Sequence, residues 1–258
     1  DQFAAVRAVE REVDLFAVVE IVGELAVAAP QVAGEIDRER TVVQQELKRN
    51  HDSPGAWAGR LIGTSVYGAQ PPGWDVGGSV ELVEEMQRPD FVSHISDWYH
   101  PSNIVLSVAG NTSHERVMSI AEPLFRDMPV GEIPSVIPYD PSITGPRVAT
   151  DSRDIDQCSL FLGLPIFGRD DRDRFALRIM NDVLGAGMSS RLFRDVRERR
   201  GLAYSVYSFA SNHADAGLVG VSVGCLPGKL TDVLTVVRTE LAKVAELGGA
   251  VAAVESGY

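Results

Sequence analysis

The sequence is short of several things, and each shortage removes a class of function. No apolar run approaches the roughly 18 residues of a membrane-spanning helix. The opening "DQFAAVRAVEREVD" is not a secretory signal. Positive charge is scarce: 24 Lys and Arg against 36 Asp and Glu leave a net charge of −12. Neither nucleic acid nor an anionic membrane is therefore expected as a partner through bulk electrostatics. The two cysteines, Cys158 and Cys225, are too few for a disulfide framework and lack metal-ligand spacing. They lie in the apolar stretches "QCSLFLG" and "SVGCLPG", where buried thiols are expected, and a reducing, cytoplasmic setting with them. What remains is a globular composition, 45% hydrophobic and 23% charged over 258 residues. That suffices for one large domain or two ordinary ones.

Punctuation divides the chain. Residues 3–30 are helical in composition and stop at Pro30, and a second helix is expected from Gln31 to Asn50, ending before "HDSPGAW". Further helical patterns cover 56–67 and 80–99, separated by the Gly- and Pro-rich loop "YGAQPPGWDVGGS". The β-branched run "IVLSVAG" reads as a buried strand, and "NTSHERVMSIAEPLF" as a helix capped by Thr112 or Ser113. Residues 131–147 hold four prolines (Pro134, Pro138, Pro141, Pro146) and read as an extended linker. The boundaries expected are thus 1–130 for a first domain, 131–147 for the linker and 148–258 for a second, similar domain.

The second half alternates strand and helix. "CSLFLGLPI" reads as a strand. Asp170–Leu184 follows as an amphipathic helix with Phe175, Ile179, Met180 and Val183 on one side. "SSRLFRDVRERRG" is a short helix closed by Gly201, and Gly185 and Gly187 before it read as loop residues. "LAYSVYSFA" and "GLVGVSVGC" form a hairpin, and "LTDVLTVVRTELAKVAEL" a long amphipathic helix. The order implies an α+β fold, with helices on one face of a mostly antiparallel sheet. A strand–turn–helix unit occurs in each half, so duplication is expected. The chain opens without methionine, within a stretch of helical composition, and ends as another helix begins; an internal fragment of a longer protein is the expectation.

One helix carries an anomaly. A wheel of about 100° per residue gathers Val32, Ile36, Val43 and Leu47 into one stripe and puts Glu39 and Glu46 at its edge. Two carboxylates on a core-facing margin either snorkel and pair with arginines, or hold a metal or its ligand shell. Helix geometry alone leaves both open.

The stretch "IDRERTVVQQELKRNHDSPGAWAGRLIGTSVYG" resembles the segment that follows the inverted H-x-x-E-H zinc motif of pitrilysin/insulinase-type (M16-like) zinc peptidases. "VSHISDWYHPSNIVLSVAGN" and "NDVLGAGMSSRLFRDVRERRGLAYSVYS" resemble further segments of that family, the latter the signature of its second domain. By that resemblance Glu46 is the third zinc ligand and Glu39 the carboxylate that orients a ligand. Arg197 and Tyr204 reach toward the active site of a facing half. The fold implied is two duplicated layered α+β domains.

The H-x-x-E-H itself is missing. The five histidines (His51, His94, His100, His114, His213) are scattered. The motif is therefore expected upstream of residue 1, and the chain alone is expected to be inactive. In the whole protein the resemblance implies Zn²⁺ held by two histidines and Glu46, with an open position for water. It further implies cleavage of short or unfolded peptides bound as an added strand, with Arg197 and Tyr204 holding the peptide backbone or the oxyanion. A homodimer, or a heterodimer with another chain of this type, is implied too. The alternatives are a non-catalytic subunit of the same fold and an unrelated α+β binding module.

Overall fold

The computed structural model describes residues 33–132, 134–143, 145 and 147–257. The expected helix over 3–30 and its stop at Pro30 lie outside the described residues, as do the start of the next helix at Gln31 and Pro146 of the linker. Among the described residues the chain divides into two compact units, one of 33–45 and 80–136, the other of 46–79 and 137–257.

Helix α1 (Ala33–Asp52) supplies residues to both units. In the first unit its Arg40 is largely buried and its guanidinium donates to the carbonyls of Val83 and Met86. These two carbonyls close helix α3 (Val80–Glu85), whose last acceptors have no partner within the helix itself. Helix α4 (Arg88–Trp98) follows after a break. A single helix over 80–99 was the sequence expectation, and Pro89 is why it splits. Lacking an N–H, proline fits a first turn far better than a helix interior, and here the Gln87 N–H donates to Asp90 Oδ2 at 2.7 Å to start the new helix. Helix α5 (His114–Phe125) is capped by Ser113, whose Oγ accepts from the Arg116 N–H at 3.3 Å.

The run "IVLSVAG" does not form the expected buried strand. Its first residue, Ile104, is extended, but the run has no ladder partner among the described residues, and Val105 is 78% exposed. A strand needs a neighbour for its backbone groups as well as an apolar sequence.

The second unit holds a three-stranded antiparallel sheet in the order β1-β3-β2. Its strands are β1 (Cys158–Ile166), β2 (Ala203–Asn212) and β3 (Gly217–Cys225). The central strand is buried on both faces. On one face Val221, Val223 and Cys225 join Leu160, Leu162 and Val206 against helix α6 (Arg174–Asn181) and helix α7 (Leu230–Glu246). On the other, Leu218 packs with Val66, Tyr67 and Ile62 of helix α2 (Pro54–Tyr67). Helices thus cover both faces rather than the one expected.

Helix α6 turns its Leu177 and Met180, followed by Leu184, into the core, while Phe175 and Ile179 stay exposed. The helix is apolar on two sides, and the sheet takes the side spaced i, i+3, i+7. The later part of the Pro-rich segment, from residue 137 on, is tied within the second unit by Gln70. Its amide donates to the carbonyls of Asp140 and Ile143 and its Oε1 accepts from the Asp140 N–H, all within 3.0 Å.

Candidate functional site

Two irregularities of backbone build the site around Arg197 and Tyr204. The segment Phe193–Arg199 is a π-helical turn, and it ends where Gly201 takes φ +57°. That left-handed conformation costs glycine little, and it lets the Gly201 N–H reach the Arg197 carbonyl at 3.1 Å while the chain turns into β2.

The second irregularity is a β-bulge. Ala203 pairs with Cys225 and Ser205 with the adjacent Gly224, so Tyr204 is the extra residue between them. A bulge re-aims a side chain that regular alternation would have committed to one face. Tyr204 accordingly stands 74% exposed. Its ring lies 5.2 Å from the Arg197 guanidinium carbon, which is also 4.9 Å from the Phe193 ring. The guanidinium lies over both rings at cation–π distance, and a contact of this kind stabilises a cation by about 0.5–1 kcal/mol at an exposed site. The arginine keeps its five N–H donors and presents them beside a phenol. A planar donor fork next to a hydroxyl suits carbonyl or carboxylate oxygens.

Beside Tyr204 lies a cleft of about 300 Å³, lined by Gln157, Gly201, Gly224, Cys225 and Lys229 among others. Burial pushes the Cys225 thiol above its ordinary value, and Cys158 adds to the effect. Behind the site, a second π-helical turn (Asp182–Ala186) packs on β2. A Cβ at Gly185 would come within 2.4 Å of the Ser208 backbone nitrogen, so this glycine is a close-approach residue rather than the loop glycine expected. The Ser208 hydroxyl in turn donates to the Asn181 carbonyl at 2.9 Å.

The carboxylates behave differently. Glu39 and Glu46 share one helix but both are exposed, while Ile36 and Val43 are half-buried and Leu47 is buried. Arg40, on the opposite margin of the same stripe beside Leu47, is the charged residue of this helix that is largely buried.

A zinc ion needs three or four converging N, O or S donors, and among the described residues no group of three His, Cys, Asp or Glu converges in that way. Three of the five histidines have contacts away from these carboxylates. His51 packs edge-on to Trp57, His94 stacks on Trp98, and His100 donates from Nδ1 to the Pro129 carbonyl at 3.2 Å. The residues present therefore do not by themselves fit the metal. Sequence reasoning missed Phe193 and the bulge. Their only traces are an aromatic one turn before Arg197 and the three-residue spacing of inward-facing Ala203 and Val206, which breaks a two-residue alternation.

The architecture is that of an α+β chain with an antiparallel sheet. Residues 85–255 match the family model described as the peptidase M16 inactive domain, and the chain belongs to that family. It is 34% identical to an uncharacterized zinc protease of Streptomyces coelicolor over 92% of its own length and 53% of the relative's. It spans about half the length of the curated relatives it matches. Among solved structures, the peptidase M16 inactive domain from Pseudomonas fluorescens superposes with a TM-score of 0.77 at 20% identity, covering 89% of this chain and 56% of that one. A chain of complex III2 from Candida albicans gives 0.73 at 14% identity, covering 93% and 65%. The last two show likeness of fold alone. No helix among the described residues is long and apolar enough to cross a membrane.

Proposed function

We propose that this chain is part of a zinc-dependent metalloendopeptidase that cleaves short or unfolded peptides, and that Arg197 and Tyr204 are its peptide-holding pair. The observation that carries the reading is the exposed Arg197–Tyr204 ledge. A π-helical turn, a left-handed glycine and a bulge all serve to aim it outward, and such devices gather at functional sites. Folding stability gains little from an exposed pair of this kind, so its construction favours recognition.

The guanidinium fork receives a peptide carbonyl or C-terminal carboxylate, and the phenol donates to a second oxygen. β2 has a strand neighbour on one side only among the described residues, which suits a peptide added as a strand. In this reading the other zinc-holding residues lie outside this chain, Glu46 being the one ligand supplied from it and Glu39 its support. The names of the curated relatives accord with this. The protein works as a dimer or beside a second chain of the family, with Arg197 and Tyr204 serving the facing half. A cytoplasmic location completes the reading.

The test uses the full-length protein and an unstructured peptide. Arg197→Ala and Tyr204→Phe are expected to lower kcat/KM by roughly 100- to 1000-fold with unchanged circular dichroism, in the range for removal of one oxyanion donor. Unaltered cleavage by both variants would sink the assignment.

A second reading, a non-catalytic subunit, is favoured by the "inactive" description of the matched domain. Zinc analysis separates the two. About one zinc per chain, lost in Glu46→Gln, supports the peptidase; no zinc in the wild type supports the subunit.

A further inference from the structure

We propose that Cys158 and Cys225 form a reversible dithiol that a peroxide closes into a cross-strand disulfide at the edge of the Tyr204 cleft. The two are directly opposed in the antiparallel register of β1 and β3. Residues so opposed put their side chains on the same face, with Cα atoms about 4.5–5.5 Å apart. That spacing lies within the roughly 4.4–6.8 Å a disulfide spans.

Packing confirms the shared face, because both sulfurs belong to the cluster between the sheet and α6 and α7. Both are free thiols. Cys158 is the first residue of β1 and Cys225 the last of β3, so a disulfide here would strain only strand ends. The sequence reading of two unconnected buried thiols did not anticipate the register.

Access is unequal, and that orders the chemistry. Cys158 is half-buried, whereas Cys225 is 3% exposed and reaches solvent along the wall of the cleft. Cys158 meets the oxidant first. Its thiolate attacks one peroxide oxygen, the O–O bond breaks, and water leaves with the second oxygen. A sulfenic acid remains on Cys158. The Cys225 sulfur then attacks the Cys158 sulfur, the S–O bond breaks, and a second water leaves. Two thiols have lost two electrons and two protons, and one peroxide has been reduced to two waters. A small dithiol reverses the reaction by exchange.

On its other side Cys225 pairs with Ala203, the residue before Tyr204. The crosslink would therefore fix all three strands beside the bulge.

The experiment treats the full-length folded protein with hydrogen peroxide, blocks residual thiols with an alkylating reagent and maps peptides by mass spectrometry. Its readout is independent of peptidase activity. Expected is a linked pair of peptides bearing Cys158 and Cys225, two hydrogens lighter than their sum and separated by dithiothreitol. Cys225→Ser should instead trap Cys158 as a sulfenic acid captured by dimedone, and Cys158→Ser should leave Cys225 reduced. Both cysteines remaining fully alkylatable at a dose that oxidises an exposed thiol would overturn the proposal. So would oxidation of Cys158 to a sulfinic acid with Cys225 still free. The wild-type peptide map decides between these outcomes even if a serine variant fails to fold.

Discussion

Two stretches follow the same recipe and end differently. Residues 104–125 and 217–246 each run from a β-branched apolar segment into an amphipathic helix. In the second, β3 is flanked by β1 and β2 and buried on both faces, and α7 adds Val233, Val236 and Val237 to the core. In the first, Val105 and Leu106 lie exposed, and α5 buries only Ala121. Local pattern nominates a strand, but neighbours make it one. The ladder satisfies the backbone and the facing helices remove the side chains from water.

That contrast predicts where substitutions matter. Leu192→Ala, at a fully buried position of the second unit's core, is expected to cost about 2–5 kcal/mol of unfolding free energy. Val105→Ala is expected to stay within about 0.5 kcal/mol, as at an exposed surface position. Urea titration of both variants in the same protein is the check. Equal losses would mean that 104–109 is buried in solution, and the comparison would collapse.

The same core contains a charge, and it sharpens the point. Glu240 of α7 is 2% exposed, yet its two oxygens accept from Arg191 Nε at 2.7 Å and from Lys243 Nζ. Burial alone would raise its pKa. The hydrogen bonds from Arg191 and Lys243 outweigh that and hold the carboxyl below its ordinary value. A depressed folded pKa gives stability that is present above the unfolded value of about 4.3 and lost as pH falls through the folded one. Glu240→Gln is therefore expected to cost about 1.5–3 kcal/mol at neutral pH, the range for hydrogen bonds to a charged group. The gap to wild type should close progressively below about pH 4. A gap of the same size at pH 3 as at pH 7 would show that shape, not charge, is responsible.

What the sequence made legible follows the same division. The three strands of the second unit and α7 were readable because each is bounded by Gly, Pro or turn residues and carries the right apolar spacing. The α3–α4 break at Pro89 was overlooked inside a helical pattern although the residue that causes it was visible. The unpaired run at 104–109 was misread because pairing is not written in the run itself. At the site, the seven-residue spacing of Arg197 and Tyr204 was visible, and the fold brings the two within 5.2 Å. The devices that achieve this, a π-turn and a bulge, arise from an added residue in a helix turn and in a strand. Neither shifts composition, so neither leaves a periodic signal. For Glu39 and Glu46 the wheel predicted a direction, and their exposure shows that a place on a stripe's margin does not by itself decide burial.

The smallest effect expected at a buried position tests whether burial alone sets the cost of a change. Tyr67 is as buried as Glu240, but its hydroxyl has no hydrogen-bond partner among the described residues. Its ring packs edge-on to Tyr139 and His213, with centroids 5.8 and 5.7 Å away. Tyr67→Phe keeps those contacts and removes an unsatisfied polar group, so stability is expected to stay level or rise by up to about 1 kcal/mol. Burial, with Tyr139 adding to it, pushes the phenol up to about 12. A folded pKa above the unfolded value of about 10 means that the wild type sheds stability as pH rises from 10 towards 12. The phenylalanine variant has no proton to lose and should keep that stability, so its advantage grows with alkalinity. A loss of more than 1 kcal/mol at neutral pH would show that the hydroxyl holds a bound water the protein needs. Burial would then have to be weighed together with that water in the comparison with Leu192.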